Sequence, residues 1–288
     1  ELSNTYNIKL TFATVGFLFA SDKDEIKKHL PKNIPNYTNQ NLNPFRLIES
    51  IGKNETASPL HYAKSVINTI KNERIHEIGT HTFSHYNCLA PGQNLIEFND
   101  DIKAAKNIAK NMGIELKSIV FPKNQVTKEY LEICENNGIT NYRGTESHNI
   151  YNYPNFNTKK KKLLRFIDNY LNISGYNTYA INDLLKNKTG LLNLPSSRFL
   201  RPYMPKLAFL EPLKSQRIIK AMKNAAIKNE LFHLWWHPHN FGSNIDENFK
   251  NLETIFKAYS DLNKKYKFES ITMTGLTNKI SKKNKLKN

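Results

Sequence analysis

His81 and His85 stand four residues apart in the stretch Ile75-His76-Glu77-Ile78-Gly79-Thr80-His81-Thr82-Phe83-Ser84-His85. Placed on the first turn after a strand, a pair spaced His-x-x-x-His brings both imidazoles to one side, where they can close on one divalent ion. Taken alone, the pair reads more readily as two polar side chains of a surface loop, and only the rest of the sequence reverses that balance. His76 and His81 lie five apart, so the His-Glu-x-x-His spacing of a zincin protease is not met. Cys88 follows close by with no further metal-type neighbour and reads as a buried thiol. Other polar groups gather late in the chain, in Leu234-Trp235-Trp236-His237-Pro238-His239-Asn240. Trp235 and Trp236 alternate across a strand there, so one faces the interior and the other packs as core against the helix layer.

The elements that must position these groups follow from hydrophobic periodicity. Strands are predicted within 7–19, at 75–80, 116–121, 139–142, 191–194 and 231–236, and last at 268–273. Helices are predicted at 22–30, from Ser58-Pro59 onward, and at 95–112, 127–137, 163–170, 178–186, 213–229 and 247–264, with a helix end before Tyr6. Seven strands separated by helical stretches argue for a parallel α/β barrel. An open doubly wound sheet is disfavoured, since no glycine-rich dinucleotide turn follows any strand. In such a barrel the working groups sit where strands finish. His81 and His85 follow one predicted strand, Pro122-Lys123-Asn124-Gln125 another, Arg143 the next, Ser197-Arg198 the next, and His237-Pro238-His239-Asn240 the next.

Composition narrows the classes. With 288 residues and 39% apolar content, the chain can bury one large core. No run of eighteen apolar residues crosses a membrane, and the start lacks a signal-peptide pattern. Two cysteines give no disulfide framework, which favours a reducing compartment and a cytoplasmic location. The net charge of +17 comes from scattered lysines, so a nucleic-acid partner is not expected. The run Lys159–Lys162 reads as a solvated loop, and 279–288 as a basic disordered tail beyond a single domain over 1–278. Seven of 42 basic residues are arginine, which marks Arg143, Arg165, Arg198, Arg201 and Arg217 as places where a planar fork is needed.

From Asn7 to the last strand the chain resembles the polysaccharide deacetylases of carbohydrate esterase family four. Thr80-His81-Thr82-Phe83-Ser84-His85 is similar to that family's metal-binding histidine motif, and Leu234 to Asn240 to the strand that supplies its catalytic histidine. Asn7 to Ala20, Val120 to Val126 and Ser196 to Pro202 resemble the branch found with bacterial surface-polysaccharide genes. The resemblance implies a deformed (β/α)7-type barrel, His81 and His85 as ligands of a divalent metal, most simply zinc, and an N-acetylated sugar or polysaccharide precursor as substrate. Two departures stand out. The family's first strand carries an aspartate as ligand or base, and no such strand precedes Asn7; with Glu1 in place of Met, the expectation is a fragment lacking that strand. Where an arginine motif is expected near Phe121-Pro122 the chain has Lys123, with Arg143 as a substitute.

On this resemblance the chain is expected to hydrolyse the C–N bond of an acetamide. Expulsion of an amine needs a general acid of near-neutral pKa, a role assigned to His237 with His239 as runner-up. Trp235, Asn124, Arg143, Arg198 and Asn240 are the expected substrate contacts, and Arg201 joins Arg198 as a fork for an acidic group, with a structural salt bridge an equal alternative for both arginines. The rivals are an amide hydrolase on the same barrel, a degenerate barrel that binds glycan without turnover, and a basic nucleic-acid binder supported by net charge alone.

Overall fold

Strands and helices alternate along the chain as the periodicity predicts. The computed structural model describes residues 1–151, 158–186 and 190–285. The elements are α1 (Leu2–Thr5), β1 (Thr11–Thr14), α2 (Lys23–Lys28), α3 (Lys64–Asn72), β2 (Glu77–Thr80), α4 (Leu95–Asn111), β3 (Ser118–Ile119), α5 (Lys128–Asn136) and β4 (Asn141–Tyr142). They continue with α6 (Lys159–Asp168), α7 (Ile181–Lys186), β5 (Leu192–Asn193), β6 (Arg198–Phe199), α8 (Glu211–Lys228), β7 (Leu234–Trp235), α9 (Ile245–Tyr266) and α10 (Met273–Lys285). The first five strands form one sheet in the order β1-β2-β3-β4-β5, and β6 pairs with β7; every pairing is parallel. This is the parallel α/β class expected, wound in the sequential order of a (β/α) barrel. The chain divides into two compact units, where a single domain over 1–278 was expected.

One unit comprises Lys9–Arg143, Lys188–Asn193 and Ile271–Asn288. Its core is built from the buried face of α4, Phe98, Ile102, Ala105 and Ile108, packed with Phe83, Tyr86, Ile119 and Phe121. Helix α4 starts at a capping box in which Asn94 accepts from the Glu97 N–H and the Glu97 carboxylate accepts from the Asn94 N–H. At the opening ends of the strands, the Glu77 carboxylate accepts from Thr11 Oγ1 (3.0 Å), Ser118 Oγ (2.5 Å), and both the N–H and hydroxyl of Thr274 (2.9 and 2.5 Å). Gly79 is required by the close approach of β2 to β3, since a Cβ there would lie 2.6 Å from Ser118 Oγ.

The other unit comprises Glu1–Ile8, Gly144–Asn187 and Leu194–Ser270. Helices α8 and α9 pack together here through buried Ile218, Ala221, Met222 and Ala225 on the first and Leu252, Ile255 and Phe256 on the second. Helix α6 ends at Asp168, which is fully buried.

Five expectations about elements are corrected. Residues 268–273 form no strand: the Ser270 N–H goes to Tyr259 Oη (3.0 Å), and the Met273 N–H to Thr11 Oγ1 (3.0 Å), so side chains take donors a ladder would have used. Arg198–Phe199, expected in a loop, is strand β6. The α3 helix begins at Lys64 and not at Ser58, because the turn before it ties Tyr62 Oη to the Gly52 carbonyl and the Ala63 N–H to the Leu18 carbonyl. Lys159–Lys162 is no loop but the first turn of α6, with Thr158 Oγ1 accepting the Lys161 N–H. Of the expected tail, 279–285 belongs to α10, and 286–288 lies outside the described residues.

Candidate metal centre and strand-end groups

Parallel strands β2, β3 and β4 end on one edge of their sheet, and the residues that follow them fall there together. His81 continues the ladder beyond β2, its N–H donating to the Thr14 carbonyl at 2.9 Å. Its ring Nδ1 lies 2.7 Å from the Val120 carbonyl, an oxygen that can only accept. The proton is therefore on Nδ1 and the lone pair on Nε2, the arrangement in which a ligating histidine is oriented by a carbonyl behind it. His85 returns beside it: the two ring centroids lie 4.9 Å apart at an interplanar angle of 69°. Desolvation of the His85 ring, then the Lys123 ammonium, lowers that imidazole's pKa and so favours the neutral form that can donate a lone pair, an effect that solvent tempers because the residue is exposed.

The loop between the rings is clamped at every residue. Thr82 and His85 both have positive φ, 67° and 56°, an unfavourable conformation for residues with a Cβ. The Gly16 and Phe17 N–H groups donate to the Thr82 and Phe83 carbonyls at 2.9 and 3.2 Å. A Cβ on Gly16 would lie 2.4 Å from the Phe83 ring, so only glycine fits against this turn. Thr80 Oγ1 accepts from the Thr82 N–H and Thr82 Oγ1 from the Tyr86 N–H, at 3.0 and 2.8 Å. From beneath, the buried Asp101 of α4 accepts the Phe83 N–H at 2.7 Å and the Ser84 hydroxyl. Burial pushes the Asp101 carboxyl up to about 6 even though these donors favour its charged form. Sequence reasoning missed Asp101. Its readable sign was a carboxylate on the same helical stripe as Phe98, Ile102, Ala105 and Ile108.

Lys123 and Asn124 follow β3, both with positive φ (55° and 53°), and Asn124 Oδ1 accepts from Arg143 Nη2 at 2.8 Å. The structure thus joins His81, His85, Lys123, Asn124 and Arg143 within one unit. Fit to a zinc-type ion can be judged from the donors: two imidazoles, one of them fixed in the ligating tautomer, supply two of the three protein ligands a catalytic zinc takes. Among the described residues no group of three His, Cys, Asp or Glu gathers as a complete set.

The remaining expected groups belong to the other unit. The Phe199, Trp235, His237 and His239 rings form a run, with centroids 4.5 Å apart for Phe199–Trp235, 5.3 Å for Trp235–His237 and 5.0 Å for the stacked His237–His239 pair. His237 and His239 are exposed, and the Asn240 N–H donates to the His237 carbonyl at 3.0 Å. Arg198 is not at an open mouth. Its guanidinium is buried against Asp168, with Nη1 to Oδ2 at 2.5 Å, and also donates to Ser174 Oγ and the Gly175 carbonyl. Of the two uses open to Arg198, the structure shows the salt bridge: the planar fork is spent on a carboxylate of its own unit. Arg201 stacks over the Phe166 ring at 5.4 Å.

Comparison with known proteins supplies the family. Residues 1–142 match the family model described as polysaccharide deacetylase. Over these residues, just under half of its length, the chain is similar to that family. The matched segment holds β1 to β4 and the whole histidine loop, and the match supports carbohydrate deacetylase, a hydrolase, as the chain's enzyme class. Among solved structures, the chain is similar to the Xyl-CE4 domain of a multidomain xylanase from the hindgut metagenome of Trinervitermes trinervoides, at 12% identity, 84% coverage of this chain, 80% of that chain and a TM-score of 0.30. It is also similar to 4-alpha-glucanotransferase from Thermococcus litoralis, at 13% identity and a TM-score of 0.46, over 94% of this chain and 38% of that one. No curated protein matches the chain.

Proposed function

We propose that the chain is a divalent-metal N-deacetylase acting on an N-acetylated sugar or polysaccharide precursor in bacterial surface-glycan metabolism. The observation that carries this reading is the oriented imidazole pair: His81 with its Nδ1 turned to the Val120 carbonyl, and the His85 ring 4.9 Å away beside it. When bound, a zinc-type ion supplies Lewis acidity to the acetamide carbonyl and lowers the pKa of water to about 7. The protein's own part is to hold that chemistry in place. Val120 fixes the His81 tautomer, and the clamped Thr82-Phe83-Ser84 turn fixes the distance to His85. Arg143 orients the Asn124 amide, which is proposed to meet a sugar hydroxyl.

To His237 the reading gives the general acid, on its motif, with His239 as the alternative. The acid delivers a proton to the amine nitrogen as the C–N bond breaks, without which the amine is a poor leaving group. Trp235 and Asn240 are proposed as sugar contacts, a face for stacking and an amide for hydrogen bonding. Among the described residues no helix is long and apolar enough to cross a membrane. Cys88 and Cys134 are buried thiols, in keeping with a reducing, cytoplasmic setting. The test is acetate release from N-acetylhexosamine oligomers with added zinc. The reading stands if wild type releases acetate and His81→Ala and His85→Ala do not; activity that survives both substitutions refutes it.

A further inference from the structure

We propose that Asp101 is a positioning residue for the metal centre, setting the separation and facing of His81 and His85 by holding Phe83 and Ser84 between them. This rests on the reading of the histidine pair as metal ligands. The geometry is specific. Asp101 lies on α4 and is fully buried. Its carboxylate takes the Phe83 N–H at 2.7 Å on Oδ1 and the Ser84 hydroxyl on Oδ2. Phe83 and Ser84 are therefore both bonded to one side chain that touches neither imidazole through these bonds.

Asp101 is an expensive choice for filling space. No described cation pairs with it, and a buried carboxylate without one is unfavourable relative to an apolar residue of similar size. Its donors come instead from a loop that carries two residues with left-handed backbone, Thr82 and His85. Such strain persists only where surrounding bonds over-determine it. A carboxylate accepts several donors at once from one direction, which a hydroxyl or an apolar side chain cannot do. Asparagine keeps part of this ability: its carbonyl accepts the Phe83 N–H, and its amide donates to the Ser84 hydroxyl oxygen.

The experiment compares zinc affinity of the full chain and its variants, by competition with a chromophoric chelator, alongside the visible spectrum of the cobalt form. Asp101→Ala is expected to weaken zinc binding by about 10- to 100-fold and to alter the cobalt spectrum, the size usual for loss of a group that orients ligands. Asp101→Asn is expected to restore both readouts most of the way, a rescue that space-filling alone does not predict. If Asp101→Ala does not fold, Ser84→Ala, which keeps the carboxylate and removes one of its donors, is expected to weaken zinc measurably. A folded Asp101→Ala, or failing that Ser84→Ala, that binds zinc as wild type does and keeps the cobalt spectrum overturns the proposal and leaves the metal reading intact. A wild-type chain that binds no zinc overturns both.

Discussion

Two aspartates, one in each compact unit, are completely buried and are treated in opposite ways. Asp168 closes α6 facing two guanidinium groups, Arg198 Nη1 at 2.5 Å and Arg217 Nη2 at 3.4 Å, with Tyr151 Oη, Ser174 Oγ and the Ser174 N–H as further donors. Burial pushes its carboxyl up, but Arg198 and these donors prevail and hold it below the ordinary carboxylate range. Asp101 has donors from a loop and no cation, and burial wins, raising it to about 6. Burial alone therefore does not set a carboxylate's state; what decides is whether the donors that replace water carry charge. The charged cluster fixes a structural corner, and the neutral one holds a loop that carries chemistry.

The largest effect should come from breaking the charged cluster. Asp168→Ala leaves Arg198 and Arg217 buried without their carboxylate and is expected to cost about 3–5 kcal/mol in urea unfolding. A loss below 1 kcal/mol would show that the two arginines find other partners. Asp101→Ala should cost less, about 1–3 kcal/mol, since it strands polar groups of the loop but no buried ion. Equal losses for the two would erase the distinction.

The pH dependences should differ in sign. Asp101 is raised from 3.8 to about 6, so its contribution to stability is fully present below pH 3.8 and is lost as pH rises through 6. Asp168 is lowered, so its contribution is present above the unfolded carboxylate range and is lost as pH falls through its folded pKa. Between pH 4 and 7, wild type should lose stability relative to Asp101→Asn with rising pH, as read from chemical denaturation at each pH. Parallel curves would remove the elevated pKa from the account.

In activity, His81→Ala or His85→Ala should abolish zinc binding, whereas His237→Ala should lower turnover and leave the metal content of the protein unchanged. Full activity in His237→Ala would move the acid's role to another group. The smallest effect is expected at Glu25, which accepts from Lys64 Nζ at 2.9 Å and from the Ser21 N–H and hydroxyl at 2.7 Å each. Burial raises this carboxyl, but Lys64 and Ser21 outweigh it and bring it to about 2 from 4.5. Its stabilisation is present above pH 4.5 and lost as pH falls toward 2; with solvent screening, Glu25→Gln should cost under about 1 kcal/mol at pH 7. An unchanged acid-unfolding curve for Glu25→Gln would place the pair among ornamental surface contacts.

How much of this was legible in the sequence depended on how local each signal was. The histidine pair was legible because its spacing and its place after a strand are properties of five consecutive residues. The parallel α/β class was legible from alternation of periods. Residues 268–273 carried a strand's composition, Phe, Ile and Thr among them, yet their donors are claimed by Tyr259 and Thr11, contacts no window of sequence displays. Arg198 was singled out for the right property, a rigid fork, but its carboxylate lies 30 residues away in the chain, so sequence alone could not choose between an internal and an external partner. Asp101 was missed for the same reason, since it and Ser84 are 17 residues apart and meet only once α4 is packed.

Glu77 carries a consequence for the order of assembly. Half of the hydrogen bonds its carboxylate accepts come from Thr274, across a separation of 197 residues. A nascent chain that already holds β1, β2 and the histidine loop must wait for that distant threonine to leave the ribosome before this acid is satisfied. Long-range closure of this kind slows folding. Until it happens, the seam between the first two strands stays open to water and to the chaperones that attend unfinished chains.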